Sequence, residues 1–258
     1  MHPIIFEFGS VAVYSYGFMI ALGALAGVIY MAVQGKKEVG LTFDQANTLF
    51  MLIFVAAFAG GKFFLFFEDP EFYYKNPVKL LTGRGFVFYG SFLFAVPVML
   101  WYFRQQKLHT YAMLDVMAVT TCLVHAFGRL GCFLAGCCYG KPTASVMGVT
   151  FTNDVCFAKP LHTPLHPTQL YEAFFILAVM SVLLFLRSRR KFYGQLFFIY
   201  LLAYASGRFV IEYFRGDLSR GFIIDGYLSN SQLFAIFIFV AVVIFYFRRS
   251  RSANAIAG

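Results

Sequence analysis

The chain has 258 residues, 60% of them hydrophobic and 13% charged, and a mean hydropathy of +0.72. Soluble domains are nearer half apolar and a quarter charged, and here the excess runs the whole length, which argues against one anchored globular domain. The formal charge of +9 does not make a nucleic-acid surface, because the basic residues gather in short segments between apolar runs rather than among stacking aromatics.

The start, Met1-His2-Pro3-Ile4, has no positive leader and no small-residue cleavage site, so the first apolar run is expected to be retained. About 20 apolar residues cross a bilayer. Seven segments approach that requirement: 13–33, 47–67, 86–103, 112–134, 170–187, 194–214 and 228–247. The third is short, with Gly85, Gly90 and Pro97 in or beside it, and is a candidate wall of a site. No linker divides the chain. The expectation is an all-α membrane protein of seven transmembrane helices, one polytopic domain over residues 1–258. No internal repeat pairs the two halves, which speaks against many transporter architectures.

Seven spans place the termini on opposite sides. With the N-terminus outside, Lys36, Lys37, Arg104, Lys107, Arg187, Arg189, Arg190, Lys191, Arg248, Arg249 and Arg251 lie inside. Lys75, Lys79, Arg84, Lys141, Lys159, Arg215 and Arg220 lie outside. Eleven against seven favours a cytoplasmic C-terminus. The longest loop, 135–169, then lies outside. Its length marks it as functional or mobile.

Lys62, Asp115, Arg129, Glu172, Arg208 and Glu212 fall inside spans or at their edges, where a charge costs roughly 2.5–3.5 kcal/mol at mid-helix. Lys62 could snorkel to the interface. Arg208 and Glu212 are four apart, hence on one helix face, with Arg215 further along. Either they form an ion pair that eases insertion, or Glu212 positions Arg208 against an anion. Arg129 on another span strengthens the second reading, since two guanidiniums suit a phosphate. In a membrane the obvious phosphate belongs to a phospholipid headgroup. Around Arg129 the run Gly128-Arg129-Leu130-Gly131-Cys132-Phe133-Leu134-Ala135-Gly136-Cys137-Cys138-Tyr139-Gly140 breaks the span with four glycines. Glycine allows the chain to turn and present backbone N–H groups to an anion. Small-residue helix packing is the plainer alternative.

Gly128-Arg129-Leu130-Gly131 with Gly136 and Gly140 resembles the signature of the bacterial prolipoprotein diacylglyceryl transferases. So do His166-Pro167-Thr168-Gln169-Leu170-Tyr171-Glu172 and Gly207-Arg208-Phe209-Val210-Ile211-Glu212-Tyr213-Phe214-Arg215. Tyr14-Ser15-Tyr16-Gly17-Phe18-Met19 is similar to the family's first-span motif, and Gly60-Gly61-Lys62 to its Gly-Gly-Arg. The resemblance implies a seven-span enzyme of the bacterial inner membrane, its active site towards the outer leaflet. Such an enzyme moves the diacylglyceryl group of phosphatidylglycerol to the lipobox cysteine in the signal-peptide region of a prolipoprotein, releasing glycerol phosphate. It implies catalytic positions at Arg129, Arg208, Glu212, Tyr89 and Cys137. It implies substrate contacts from Tyr16, Arg129, Arg208, Cys132, Gly131 and Arg215, and no cofactor or metal.

Three positions depart from the family pattern. Tyr89-Gly90-Ser91 stands where the family has His-Gly-Gly, Cys132 replaces its Asn and Cys137 its Glu. An unperturbed Tyr, with a pKa of about 10, is a poor base at neutral pH. These changes leave open a divergent paralogue serving another acceptor, or a lipid-binding or transport protein without chemistry. Five cysteines is an odd number. Cys132, Cys137, Cys138 and Cys156, near His125, His162 and His166, concentrate metal-type ligands, but Cys-x4-Cys-Cys matches no zinc pattern. A disulfide at Cys156, packed free thiols, and a nucleophilic Cys137 or Cys138 activated by Arg129 are the other readings. His125 is expected to be a neutral packing residue, and the His166 motif to set the start of the fifth span.

Overall fold

The computed structural model describes residues 1–8, 11–82, 86–216, 222–224 and 228–257. Arg84, Gly85 and Arg220 lie outside the described residues. Each apolar segment becomes a helix. A hairpin of β1 (Ile4–Phe8) and β2 (Val11–Tyr14) leads into α1 (Ser15–Val39) and α2 (Phe43–Glu68). The short helices α3 (Pro70–Lys75) and α4 (Pro77–Thr82) precede α5 (Phe88–Gln105) and α6 (Thr110–Ala135). The following loop carries the pair β3 (Val149–Thr150) and β4 (Pro164–Leu165) before α7 (Thr168–Arg187) and α8 (Gln195–Glu212). A last pair, β5 (Phe222–Ile224) and β6 (Leu228–Ser229), leads into α9 (Asn230–Ala257).

Helices α1, α2, α6, α7 and the Asn230–Arg251 part of α9 are long and apolar enough to cross a membrane, with mean hydropathies of 1.5 to 2.2. The chain is thus a helical, multi-pass membrane protein. Helices α5 and α8 have 18 residues each, about 27 Å of helix against a hydrocarbon core of about 30 Å. Large side chains point outward along the spanning helices, Phe174 and Phe237 among them, as lipid-facing residues do.

The chain forms two compact units, Val28–Met113 and Met1–Gly27 with Leu114–Gly258. In the first, α2 begins with a capping box. The Thr42 hydroxyl accepts from the Gln45 amide at 3.2 Å, and the Gln45 side chain accepts from the Thr42 amide at 3.0 Å. Helices α2 and α5 pack where Gly60 meets Gly90; a Cβ on Gly60 would lie 2.3 Å from the Gly90 carbonyl oxygen. Lys62 is buried, its ammonium 5.9 Å from the Phe58 ring centroid. Tyr89 is exposed on α5.

In the second unit α8 packs on α7 and α9. The start of α8 is held from α6: the Asp115 carboxylate accepts from the Gly194 amide at 2.8 Å and the Phe197 amide at 3.0 Å. The intramembrane charge at Asp115 is therefore a helix cap supplied from another helix. The 135–169 loop has its own small core of Phe151, Cys156, Ala158 and Leu165, backed by Met1, Phe133 and Tyr139.

Candidate functional site

Four elements of the second unit converge on the sequence-predicted arginines. Arg129, on the last two turns of α6, places Nη2 2.9 Å from Oε1 of Glu172 on the first turns of α7. His125 lies one turn before Arg129, its Nε2 3.0 Å from the same carboxylate oxygen and 3.2 Å from Arg129 Nε. That single nitrogen serves one neighbour at a time. Protonated, it donates to Glu172; bare, it accepts from Arg129 Nε. The Tyr204 ring of α8 packs edge-on against His125, centroids 5.6 Å apart.

Arg208 and Glu212 form the intrahelical pair their spacing predicts, with Nη2 2.8 Å from Oε2. Arg208 Nη2 also reaches Ser231 Oγ at 3.4 Å, on the first turn of α9. That turn is fixed by a capping box between Ser229 and Gln232. Arg208 Nη1 is buried and has no hydrogen-bond partner among the described residues. A buried donor left open costs about 1–3 kcal/mol, so such a group calls for an acceptor. Glu172 lies within electrostatic reach of Arg208 as well as of Arg129. Each arginine is thus held by a buried or nearly buried glutamate.

The glycine-rich run after Arg129 turns the chain as expected, and several of its amides bond within the protein. Gly136, at φ 76°, and Cys138, at φ 58°, bend the chain. The Gly136 amide donates to Phe133 O at 3.2 Å, Cys137 to Cys132 O at 3.1 Å and Gly140 to His166 O at 2.9 Å. These three N–H groups are used internally, so the expectation that the run's donors face an anion does not hold for them. The His166-to-Glu172 motif locks this turn to α7. Thr168 Oγ1 donates to Cys138 O and Gln169 Nε2 to Cys137 O, both at 2.7 Å. His166 Nδ1 is 3.1 Å from the Tyr171 hydroxyl. Gly140 is where only glycine fits: a Cβ there would lie 2.5 Å from His166 Cβ and 2.6 Å from Phe214 O. The Lys141 amide donates to Phe214 O at 2.8 Å and the Gly216 amide to Tyr139 O at 3.1 Å, so the chain around Arg215 is pinned beside the turn. Tyr16 packs on the same end of α6, its Cα 3.3 Å from where a Gly131 Cβ would stand.

All five cysteines are free thiols. Cys156 is buried in the loop core, where desolvation raises its thiol above the ordinary value; no disulfide forms there. Cys132, Cys137 and Cys138 come together instead, their sulfurs within 4.8 Å of one another. Hydrogen bonds from the Cys132 and Cys137 thiols, with Arg215 and Arg129 behind them, lower the Cys138 thiol, while its bonds to Cys132 and Cys138 raise Cys137. The unit therefore brings Arg129, Arg208, Glu212, Arg215, Tyr16, Gly131, Cys132 and Cys137 into one neighbourhood, and Tyr89 belongs to the other unit. Sequence reasoning left Glu172 and His125 out of the site. Their signal was a carboxylate and an imidazole, each inside an apolar span.

Fold and site define a multi-pass helical membrane protein with two glutamate-held arginines at one place. Residues 3–248 match the family described as prolipoprotein diacylglyceryl transferase, and the chain belongs to that family. It is 36% identical over 253 residues to the phosphatidylglycerol–prolipoprotein diacylglyceryl transferase of Clostridium tetani (strain Massachusetts / E88), covering 97% of this chain and 99% of the relative. It is 31% identical to the enzyme of that name numbered 2 in Clostridium perfringens (strain 13 / Type A), covering 95% of this chain and 94% of the relative. The identity is also 31% to the enzyme of that name in Dehalococcoides mccartyi (strain ATCC BAA-2266 / KCTC 15142 / 195), covering 96% of this chain and 94% of the relative.

Proposed function

We propose that this chain is a phosphatidylglycerol–prolipoprotein diacylglyceryl transferase. It moves diacylglyceryl from the lipid to the lipobox cysteine thiol in a prolipoprotein's signal-peptide region, with glycerol phosphate leaving. The observation that carries this reading is the arginine pair: Arg129 and Arg208 are each oriented by a glutamate, and Arg208 Nη1 lacks a partner among the described residues. A phosphate oxygen is the acceptor that geometry suits. Arg129 and Arg208 grip the lipid phosphate and stabilise the charge that develops as the C–O bond breaks. Glu212 and Glu172 are positioning residues. Tyr16, Gly131, Cys132 and Arg215 border the headgroup, and Tyr89 and Cys137 stand in the family's catalytic positions.

The reading includes a bacterial inner-membrane location and one polytopic domain of seven spans. The N-terminus is outside, the C-terminus cytoplasmic and the active site towards the outer leaflet. The spacing of α5 and α8 among the longer helices and the bias of Lys and Arg between alternate loops support it. The test is purified protein with phosphatidylglycerol and a lipobox peptide, following glycerol phosphate release and the mass of the peptide. Thioether product from wild type, lost in Arg129→Ala and Arg208→Ala, is expected. Product from none of the three, or equal product from all three, sinks the assignment. Product formed with a hydroxyl acceptor and not with the cysteine peptide transfers the reading to a different acceptor class.

A further inference from the structure

The cluster of Cys132, Cys137 and Cys138 answers to no residue type the family pattern supplies, and the fold goes to some length to assemble it. Cys132 is buried on the last turn of α6, and Cys137 and Cys138 follow a turn that reverses the chain. Cys138 takes a left-handed backbone, φ 58°, uncommon for a residue with a Cβ. The carbonyls of Cys137 and Cys138 are each fixed by a 2.7 Å hydrogen bond from α7. Three sulfurs within 4.8 Å need little movement to share one cation, since Zn–S bonds near 2.3 Å put tetrahedral sulfurs about 3.8 Å apart. Cys-x4-Cys-Cys is no zinc motif in sequence; the reversal of the chain at 136–138 makes the site instead. Charge also closes: three thiolates and a divalent cation leave one negative charge, and the Arg129 and Arg215 guanidiniums act on the cluster.

We propose that Cys132, Cys137 and Cys138 bind one thiophilic divalent cation of the zinc class, whose open fourth position takes the acceptor cysteine as a thiolate. This rests on the transferase reading and supplies what the sequence lacks at Tyr89 and Cys137, a way to deprotonate the acceptor. Three protein ligands with a free position is the layout of catalytic rather than structural zinc, and a coordinated thiol is deprotonated. The acceptor thiol releases its proton to solvent on binding. Its sulfur then forms a C–S bond to the glyceryl carbon as the C–O bond to phosphate breaks. The electron pair leaves on the phosphate oxygen, between Arg129 and Arg208. The product is a thioether, a weaker ligand than a thiolate, so it departs and the cation is unchanged.

The test loads the reduced full-length protein in detergent with cobalt(II) or zinc and measures metal per chain, together with sulfur-to-cobalt charge-transfer absorption. One cation per chain is expected, with affinity falling at least about tenfold in Cys132→Ser, Cys137→Ser and Cys138→Ser but not in Cys156→Ser. Cys132→Asn with Cys137→Glu restores the family residues, so it guards against simple misfolding; it is expected to fold and to lose the metal. A lipobox peptide with cysteine is expected to change the cobalt spectrum, and its serine counterpart to leave it unchanged. Absence of stoichiometric metal, equal affinity in the three serine variants, or no spectral response to the cysteine peptide overturns the inference. Undiminished transfer by chelator-stripped protein overturns it too while leaving the transferase reading intact. No transfer by loaded protein that still shows the peptide response overturns the transferase reading alone.

Discussion

Replacing Glu172 with Gln tests whether the carboxylate serves catalysis or only the fold. The change keeps the shape and an oxygen at the position now 2.9 Å from Arg129 Nη2 and 3.0 Å from His125 Nε2, but removes the charge. Breaking a fully buried ion pair costs about 3–5 kcal/mol, an upper bound here because the Arg129 side chain is 16% exposed and the amide still accepts. The difference between a charge-assisted and a neutral hydrogen bond, about 1–2 kcal/mol, is the better measure of the lost orientation. At about 2 kcal/mol this predicts a fall of roughly 30-fold in kcat. The sign on KM is the discriminating part. With the counter-charge gone, Arg129 attracts the lipid phosphate at least as strongly, so KM for phosphatidylglycerol is expected to stay level or fall. Kinetics with phosphatidylglycerol vesicles and a lipobox peptide, alongside thermal unfolding, separate the cases. A kcat within threefold of wild type, or a loss carried wholly by KM, refutes the positioning role.

Arg208→Lys keeps the charge but loses the fork that meets Glu212 and leaves Nη1 open; KM for phosphatidylglycerol is expected to rise about tenfold, and an unchanged KM argues against a phosphate contact. Gly140→Ala must push apart His166 and the Phe214 carbonyl, an overpacking cost of about 1–3 kcal/mol that thermal unfolding reads as a lower Tm; an unaltered Tm refutes the close approach. Asp115→Ala removes two amide acceptances at the start of α8 and is expected to cost about 1–2 kcal/mol of stability. The folded fraction should transfer lipid at the wild-type rate, and a selective loss of kcat would give Asp115 a role in the site.

The five longest helices were legible because their apolar runs were long enough to read without their partners, and Arg208 and Glu212 because an i, i+4 pair is a local fact. The Glu172–Arg129 contact was not: 43 positions separate the two, and a sequence shows only that each charge is costly in lipid, not that they cancel. Asp115 carried the same signal as Glu172, a carboxylate in an apolar span, yet the fold spends it on capping α8. An intramembrane carboxylate therefore announces a partner without saying whether that partner is a guanidinium or a row of amides. The cysteines fail for the same reason in reverse. Spacing along a chain encodes metal geometry only where the backbone between ligands is regular, and the positive φ at Gly136 and Cys138 puts three sulfurs together at a spacing no regular turn produces. Which charges face each other and which thiols meet lies in contacts between α6, its loop and α7. The His166-to-Glu172 motif joins those elements: its Thr168 and Gln169 fix the cysteine turn, and its Glu172 holds the arginine. One short segment thus fixes both the arginine and the thiol cluster, and in the proposed reaction it sets the distance over which a sulfur must reach a glyceryl carbon.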